Sequence, residues 1–187
     1  DPFAPRVRNG MGAGESTCND LNRWSLGMRE CREGVRDRSG WAGREERKNP
    51  GRGIGVACGF FVSGAGYPIY RSRTPHCTVV IKVDEGGGGV VVQSGAAEIG
   101  QGCETMMAHV AAETLGIPLE LVRVRAGDSD LAMDLGAYSS RTTLMTGHAT
   151  KQAAEGVRRQ VLASVAEAMG VPEEDLTIEA GLVKVKG

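Results

Sequence analysis

The chain lacks an excess of charge of either sign: 22 Lys and Arg side chains against 23 Asp and Glu give a formal net charge of −1. That balance excludes a basic track for nucleic acid and a general attraction to an anionic membrane surface, so any charged partner must be small and locally held. No apolar run reaches the roughly 18 to 20 residues that a membrane-spanning helix requires, and the opening Asp1-Pro2-Phe3 is not a charged-then-apolar leader. A soluble, cytoplasmic chain is predicted. The five cysteines (Cys18, Cys31, Cys58, Cys77 and Cys103) are odd in number and irregularly spaced, with no C-x-x-C pair for zinc, iron–sulfur or redox use, and read as reduced thiols. His76, His109 and His148 stand in no ligand spacing. Neither G-x-S-x-G nor G-x-x-x-x-G-K-[ST] occurs, which removes the simplest hydrolase and nucleotidase readings. No catalytic residue and no metal ligand is therefore assigned within the chain.

What is present is glycine, 28 residues, about twice the usual share of roughly 7%. The glycines are scattered among Val- and Ile-rich segments and read as turns, close packing and ligand approach. Residues 1 to 24 show little periodicity and are expected to be irregular. A short helix over Leu26 to Arg38 carries Met28, Cys31 and Val35 on one side, with Trp41 at its end. The charged Arg44 to Gly51, with its Pro-Gly punctuation, reads as a linker, giving an N-terminal arm over 1–50 and an α+β domain over 51–187. In the domain, Gly53 to Val62 is strand-like, and Cys77 to Val83 forms a hairpin with Val90 to Ser94 across the turn Asp84 to Gly89. A helix follows from Cys103 to Gly116, then a strand over Leu121 to Arg125. A long helix from Ser139 toward Met169 carries an inner stripe of Gly147, Thr150, Ala154, Val157, Val161, Val165 and Ala168, and Leu176–Glu179 and Leu182–Lys186 close the chain as a second hairpin. The expected architecture is α+β, a mixed sheet with hairpins packed on two main helices.

Two helix starts carry the candidate chemistry. Glu98-Ile99-Gly100-Gln101-Gly102-Cys103-Glu104-Thr105 joins a strand-like run to a helix-like one. Two glycines let the main chain approach a ligand there, and the first N–H groups of a helix are unpaired and partly positive. Gln101 between them can both donate and accept a hydrogen bond. The alternative is an ordinary strand-to-helix turn. Gly136-Ala137-Tyr138-Ser139-Ser140-Arg141-Thr142-Thr143 offers hydroxyls and a guanidinium at the start of another helix, a second anion-binding edge. Its alternative is a Ser N-cap beside an exposed Arg. Asp128-Ser129-Asp130 with Asp134 lacks the central Gly and terminal Glu of a calcium loop. Gly51-Arg52-Gly53-Ile54-Gly55 has its later glycine out of phase with a dinucleotide fingerprint and precedes strand, not helix.

Taken in order, Asp1-Pro2 with Arg6 and Asn9, Gly51 to Gly55, Glu98 to Thr105, Leu115-Gly116-Ile117-Pro118, Gly127 to Asp130 and Ser139-Ser140-Arg141 resemble the xanthine dehydrogenase/aldehyde oxidase family. Within it the chain is similar to an internal part of the large molybdopterin-binding subunit, with 134–141 most similar to the 4-hydroxybenzoyl-CoA reductase-like branch. The resemblance implies a fragment of a larger subunit that binds a molybdenum–molybdopterin cofactor in its cytosine dinucleotide form. It further implies that Gly100, Gln101, Gly102 and Cys103 hold one side of the cofactor and Ser139, Ser140, Arg141 and Thr142 the other. Iron–sulfur and FAD centres would sit in partner subunits or domains. The family's upstream Gly- and Phe-rich loop and its late glutamate base are absent, so the fragment alone is not expected to turn over. The complete enzyme would hydroxylate an aldehyde or N-heterocycle, or reductively dehydroxylate an aromatic acyl-CoA. A non-catalytic scaffold domain that kept the fold is the alternative.

Overall fold

The structure, a computed structural model, describes all residues except 19, 23, 24, 48, 60, 62, 64–73, 129 and 187. The chain divides into two compact units, Asp1–Phe61 and Val62–Gly187.

In the first unit, residues expected to be irregular form helix α1, Phe3–Arg8. The helix is too short to announce itself by periodicity. A tertiary contact fixes it instead: the Asp1 carboxylate accepts the N–H of Phe3 and the indole N–H of Trp41. The Phe3 and Trp41 rings then meet edge to face at 4.9 Å. Helix α2 spans Met28–Arg38, starting two residues later than the Leu26 expected, and its apolar stripe does not face a core. Cys31 and Val35 are exposed, and the buried member is Arg32, whose guanidinium donates to the Arg6 carbonyl. The strand expected over Gly53 to Val62 is a second correction, because residues 53–59 and 61 form no strand. Alternation alone makes no strand where no neighbouring backbone completes a ladder. Phe60 and Val62, Lys48 of the expected linker and Ser129 of the aspartate loop lie outside the described residues.

The second unit is the α+β layer predicted. Strands β1, Val79–Val83, and β2, Val90–Ser94, pair antiparallel with Val83 opposite Val90. Helix α3, Cys103–Leu115, then carries the chain to β3, Val122–Arg125, which pairs parallel to β2 with Val90 opposite Val122. The sheet is therefore mixed, in the order β1-β2-β3. Helix α4, Arg141–Met169, leads to a separate antiparallel hairpin of β4, Leu176–Glu179, and β5, Leu182–Val185.

Val90, Val92 and Ser94 of β2 turn one buried face toward the helices, the period-two alternation of a half-covered sheet. Val92 packs with Ala96, Met107 and Ala111, and Val90 with Leu115 and Ala154. Leu162 joins Leu176 and Ile178 in a further cluster that seats the C-terminal hairpin. The small front of the α4 stripe is buried as expected at Gly147, Thr150 and Ala154. It is small because α3 lies on it: a Cβ at Gly147 would stand 3.1 Å from the Met106 sulfur. Eleven residues further along α4, the Arg158 guanidinium donates to the carbonyls of Thr114 and Leu115. Contacts therefore advance in the same sense along both helices, and α3 and α4 run parallel with their N-termini at one end.

Gly147→Leu is expected to wedge the two helices apart and cost about 1–3 kcal/mol of stability. Denaturant unfolding measures it, with Gly156→Leu as the control, because among the described residues nothing outside its own stretch of helix lies within 4 Å of a Cβ at Gly156.

Candidate functional site

Parallel pairing sets where the loops emerge. Strands β2 and β3 point the same way, so the loop leaving β2 (95–102) and the loop leaving β3 (126–140) emerge at the same edge of the sheet. That is the position outside the carboxyl ends of parallel strands where open α/β sheets receive ligands. The two loops touch: a Cβ at Gly95 would stand 3.0 Å from the Asp134 backbone nitrogen. Gly102 lies four residues before Met106 and Ser140 seven before Gly147, so the two helix mouths stand about 6 and 10 Å along their axes from the shared contact.

At the α3 mouth, Gly100 and Gly102 adopt positive φ of 96° and 77°, and among the described residues nothing beyond their chain neighbours lies within 4 Å of a Cβ at either. The backbone is shaped for an anion, and one sits there already. Glu98 Oε1 accepts the N–H groups of Gly100 at 2.8 Å and Gly102 at 2.9 Å, and Oε2 accepts that of Glu104 at 3.3 Å. These bonds, that from Gly102 foremost, hold the fully exposed Glu98 carboxyl down from its ordinary 4.5 to about 2. The Gln101 amide, expected to face a ligand, folds back to accept from the Ile99 N–H and donate to the Ala97 carbonyl. Cys103 is buried, its thiol donating to the Ala97 carbonyl. Burial, reinforced by Glu98, pushes that thiol up to about 11, so it is neutral and unreactive near pH 7.

The α4 mouth is built around a buried ion pair. Arg141 and Asp134 side chains are each 1% exposed and meet at 2.6 Å. The guanidinium also donates to the carbonyls of Gly136 and His76, both across loop boundaries, and stacks 5.3 Å from the Tyr138 ring centroid. Asp134 accepts the Gly136 N–H and the Thr146 hydroxyl. Arg141 is thus a buried pin, and the alternative of an exposed arginine beside a Ser cap does not describe this mouth. Its Nε–H has no acceptor among the described residues. Ser140 takes the N-cap position without a side-chain cap bond, and Ser139 and Ser140 both hold left-handed backbone, φ 48° and 58°. Two consecutive non-glycine residues there store on the order of 1–3 kcal/mol each. Thr142 is buried, and Ser140 is exposed at the mouth. The half-buried Cys77 bridges to Asp134 through its backbone, and burial raises its thiol. Sequence reasoning missed Glu98 and Asp134 as organising carboxylates. The signal was a Glu two residues before a Gly-x-Gly helix start, which a local side chain can cap from outside.

The molybdopterin cofactor-binding domain family matches residues 34–187. The chain belongs to that family. It is 32% identical to the xanthine dehydrogenase molybdenum-binding subunit of Escherichia coli over 97% of this chain and 24% of that one. It is also 32% identical to the nicotine 6-hydroxylase large subunit of Paenarthrobacter nicotinovorans, over 77% of this chain and 18% of that subunit. The crystal structure of quinoline 2-oxidoreductase from Pseudomonas putida 86 superposes with a TM-score of 0.60 at 28% identity, covering 91% of this chain and 23% of that one. The chain thus spans about a quarter or less of the relatives it matches. In the molybdopterin-binding domain, both helix mouths named above lie inside the matched region.

Two outcomes check this geometry. The Glu98 contribution to stability is present above pH 4.5 and lost as pH falls through about 2, because its folded value is depressed. The Gly102 amide resonance is expected to shift with a midpoint near pH 2 and to stay flat through 4.5. Arg141→Met, which strands a buried carboxylate, is expected to cost about 3–5 kcal/mol in denaturant unfolding, and Asp134→Asn added to it to recover part of the loss.

Proposed function

We infer that the chain supplies two of the loops that hold a molybdenum–molybdopterin cofactor in a molybdenum hydroxylase-type oxidoreductase. The single observation that carries this reading is the convergence of two polar helix mouths at one sheet edge, in a chain of the molybdopterin cofactor-binding domain family. When bound, the cofactor supplies the redox chemistry of hydroxylating an aldehyde or N-heterocycle with water as oxygen source, or of reductive dehydroxylation of an aromatic acyl-CoA. The residues of this chain bind and orient. Gly100, Gln101, Gly102 and Cys103 offer backbone on one side of the group, and Ser139, Ser140, Arg141 and Thr142 offer it on the other.

The donor set suits such a group. Open space over Gly100 and Gly102 admits a flat body to the main chain, and the buried Nε–H of Arg141 has no acceptor among the described residues. The strain held at Ser139 and Ser140 places their N–H groups and hydroxyls at the mouth where an acceptor can use them. Arg141 acts through the loop it pins. The cytosine dinucleotide form, iron–sulfur and flavin partner subunits, and a cytoplasmic location belong to the same reading.

Purified from a molybdenum-replete host, the intact protein is expected to carry molybdenum and pterin by elemental analysis and fluorescence. Finding neither overturns the reading in favour of a scaffold domain. In the same preparation, Ser140→Gly is expected to relieve the left-handed backbone and add about 1 kcal/mol of stability while lowering molybdenum retention. Retention equal to wild type would remove Ser140 from the site.

A further inference from the structure

The N–H groups of residues 99–104 at the α3 mouth divide into two sets. Those of Gly100, Gly102 and Glu104 end on Glu98, and that of Ile99 ends on the Gln101 side chain. Those of Gln101 and Cys103, interleaved with them, reach no acceptor among the described residues. The Cys103 thiol and the Gln101 amide are tied to the Ala97 carbonyl. From Ile99 to Glu104 every main-chain donor is therefore engaged within the loop except those two. The residue that makes this partition is Glu98, which is not among the residues assigned to the site above.

We propose that Glu98 is the positioning residue of the α3 mouth: its two oxygens fix Gly100, Gly102 and Glu104, and so aim the Gln101 and Cys103 N–H groups outward as the donors that meet a bound ligand. The inference rests on the reading of the site as a cofactor cradle and adds to it the residue that shapes one wall. A carboxylate suits the role because its two oxygens can accept from three amides that converge in so short a loop. It also balances the partial positive charge of the helix start. Its division of labour is specific. Oε1 serves both glycines and Oε2 serves only Glu104, so removing the side chain and removing one oxygen have different consequences.

The test uses the intact protein with Glu98→Ala and Glu98→Gln. Two readouts are amide hydrogen exchange resolved by residue in cofactor-free protein, and molybdenum per chain after expression in a molybdenum-replete host. In Glu98→Ala, exchange at Gly100, Gly102 and Glu104 is expected to rise about tenfold or more, and molybdenum content to fall about threefold or more. In Glu98→Gln the remaining oxygen keeps the glycines, so only Glu104 accelerates and molybdenum content stays near wild type. A merely stabilising residue would not separate the variants by position. The inference is overturned if exchange at the three amides is unchanged, if the two variants behave alike, or if Glu98→Ala retains molybdenum as wild type does. Should Glu98→Ala fail to fold, selective acceleration at Glu104 in Glu98→Gln decides the matter. Wild-type protein without molybdenum or pterin defeats the functional reading instead, and the exchange pattern still judges the clip.

Discussion

The parallel pairing of β2 with β3 is the constraint on which the second unit depends. Two strands that run the same way cannot be joined by a tight turn, so the chain must leave the sheet, cross its face as α3 and return. That crossover covers the buried face of β2 and sends the loops after both strands out of one edge. Helix α4 then has one apolar face left to cover. Gly147 lets it lie directly on Met106, parallel to α3, with its start beside the start of its neighbour. The proximity of two loops some 35 residues apart in sequence is thus a consequence of sheet topology and of one missing side chain, and needs no bond between the mouths themselves.

The elements of this unit were legible because periodicity and packing agree there. Hairpins, helices and the small front of the α4 stripe all describe faces that have a partner layer. In the first unit the same rule misleads. Met28, Cys31 and Val35 are spaced like a core face, but among its described residues the only buried hydrophobic side chains are Phe3 and Trp41. Burial there falls to Arg32, which carries its charge to a carbonyl of α1. Helix α1 is set by an aspartate and two aromatics brought together from 40 residues apart, information that no local window contains.

At the site, sequence reasoning identified the helix starts but not what fills them. It treated Gln101 and Arg141 as ligand-facing because an amide and a guanidinium are the conspicuous polar groups in their loops. Both are instead consumed within the protein, Gln101 by the main chain of Ala97 and Ile99 just before it and Arg141 by Asp134 and the Gly136 carbonyl in the preceding loop, with the distant His76 carbonyl besides. Local capture is favoured wherever a flexible polar side chain lies within a few residues of an unpaired backbone group, since little entropy is lost in closing so small a ring. Conspicuousness in sequence and availability in structure are different properties.

This bears on how an anion can be received at either mouth. Each helix start brings its own carboxylate, Glu98 at α3 and Asp134 at α4, and each is satisfied by its own loop and the first turns of the helix that follows. The field presented to a ligand is therefore less positive than a bare helix pair would give, and recognition falls to the particular N–H and O–H groups left unpaired. Such a site discriminates by placement more than by charge, because an unmet donor is costly when covered and a misplaced acceptor gains nothing. The consecutive left-handed serines fit that logic: they lie between Asp134 and Arg141, the two members of a buried ion pair that ties down the loop on both sides of them.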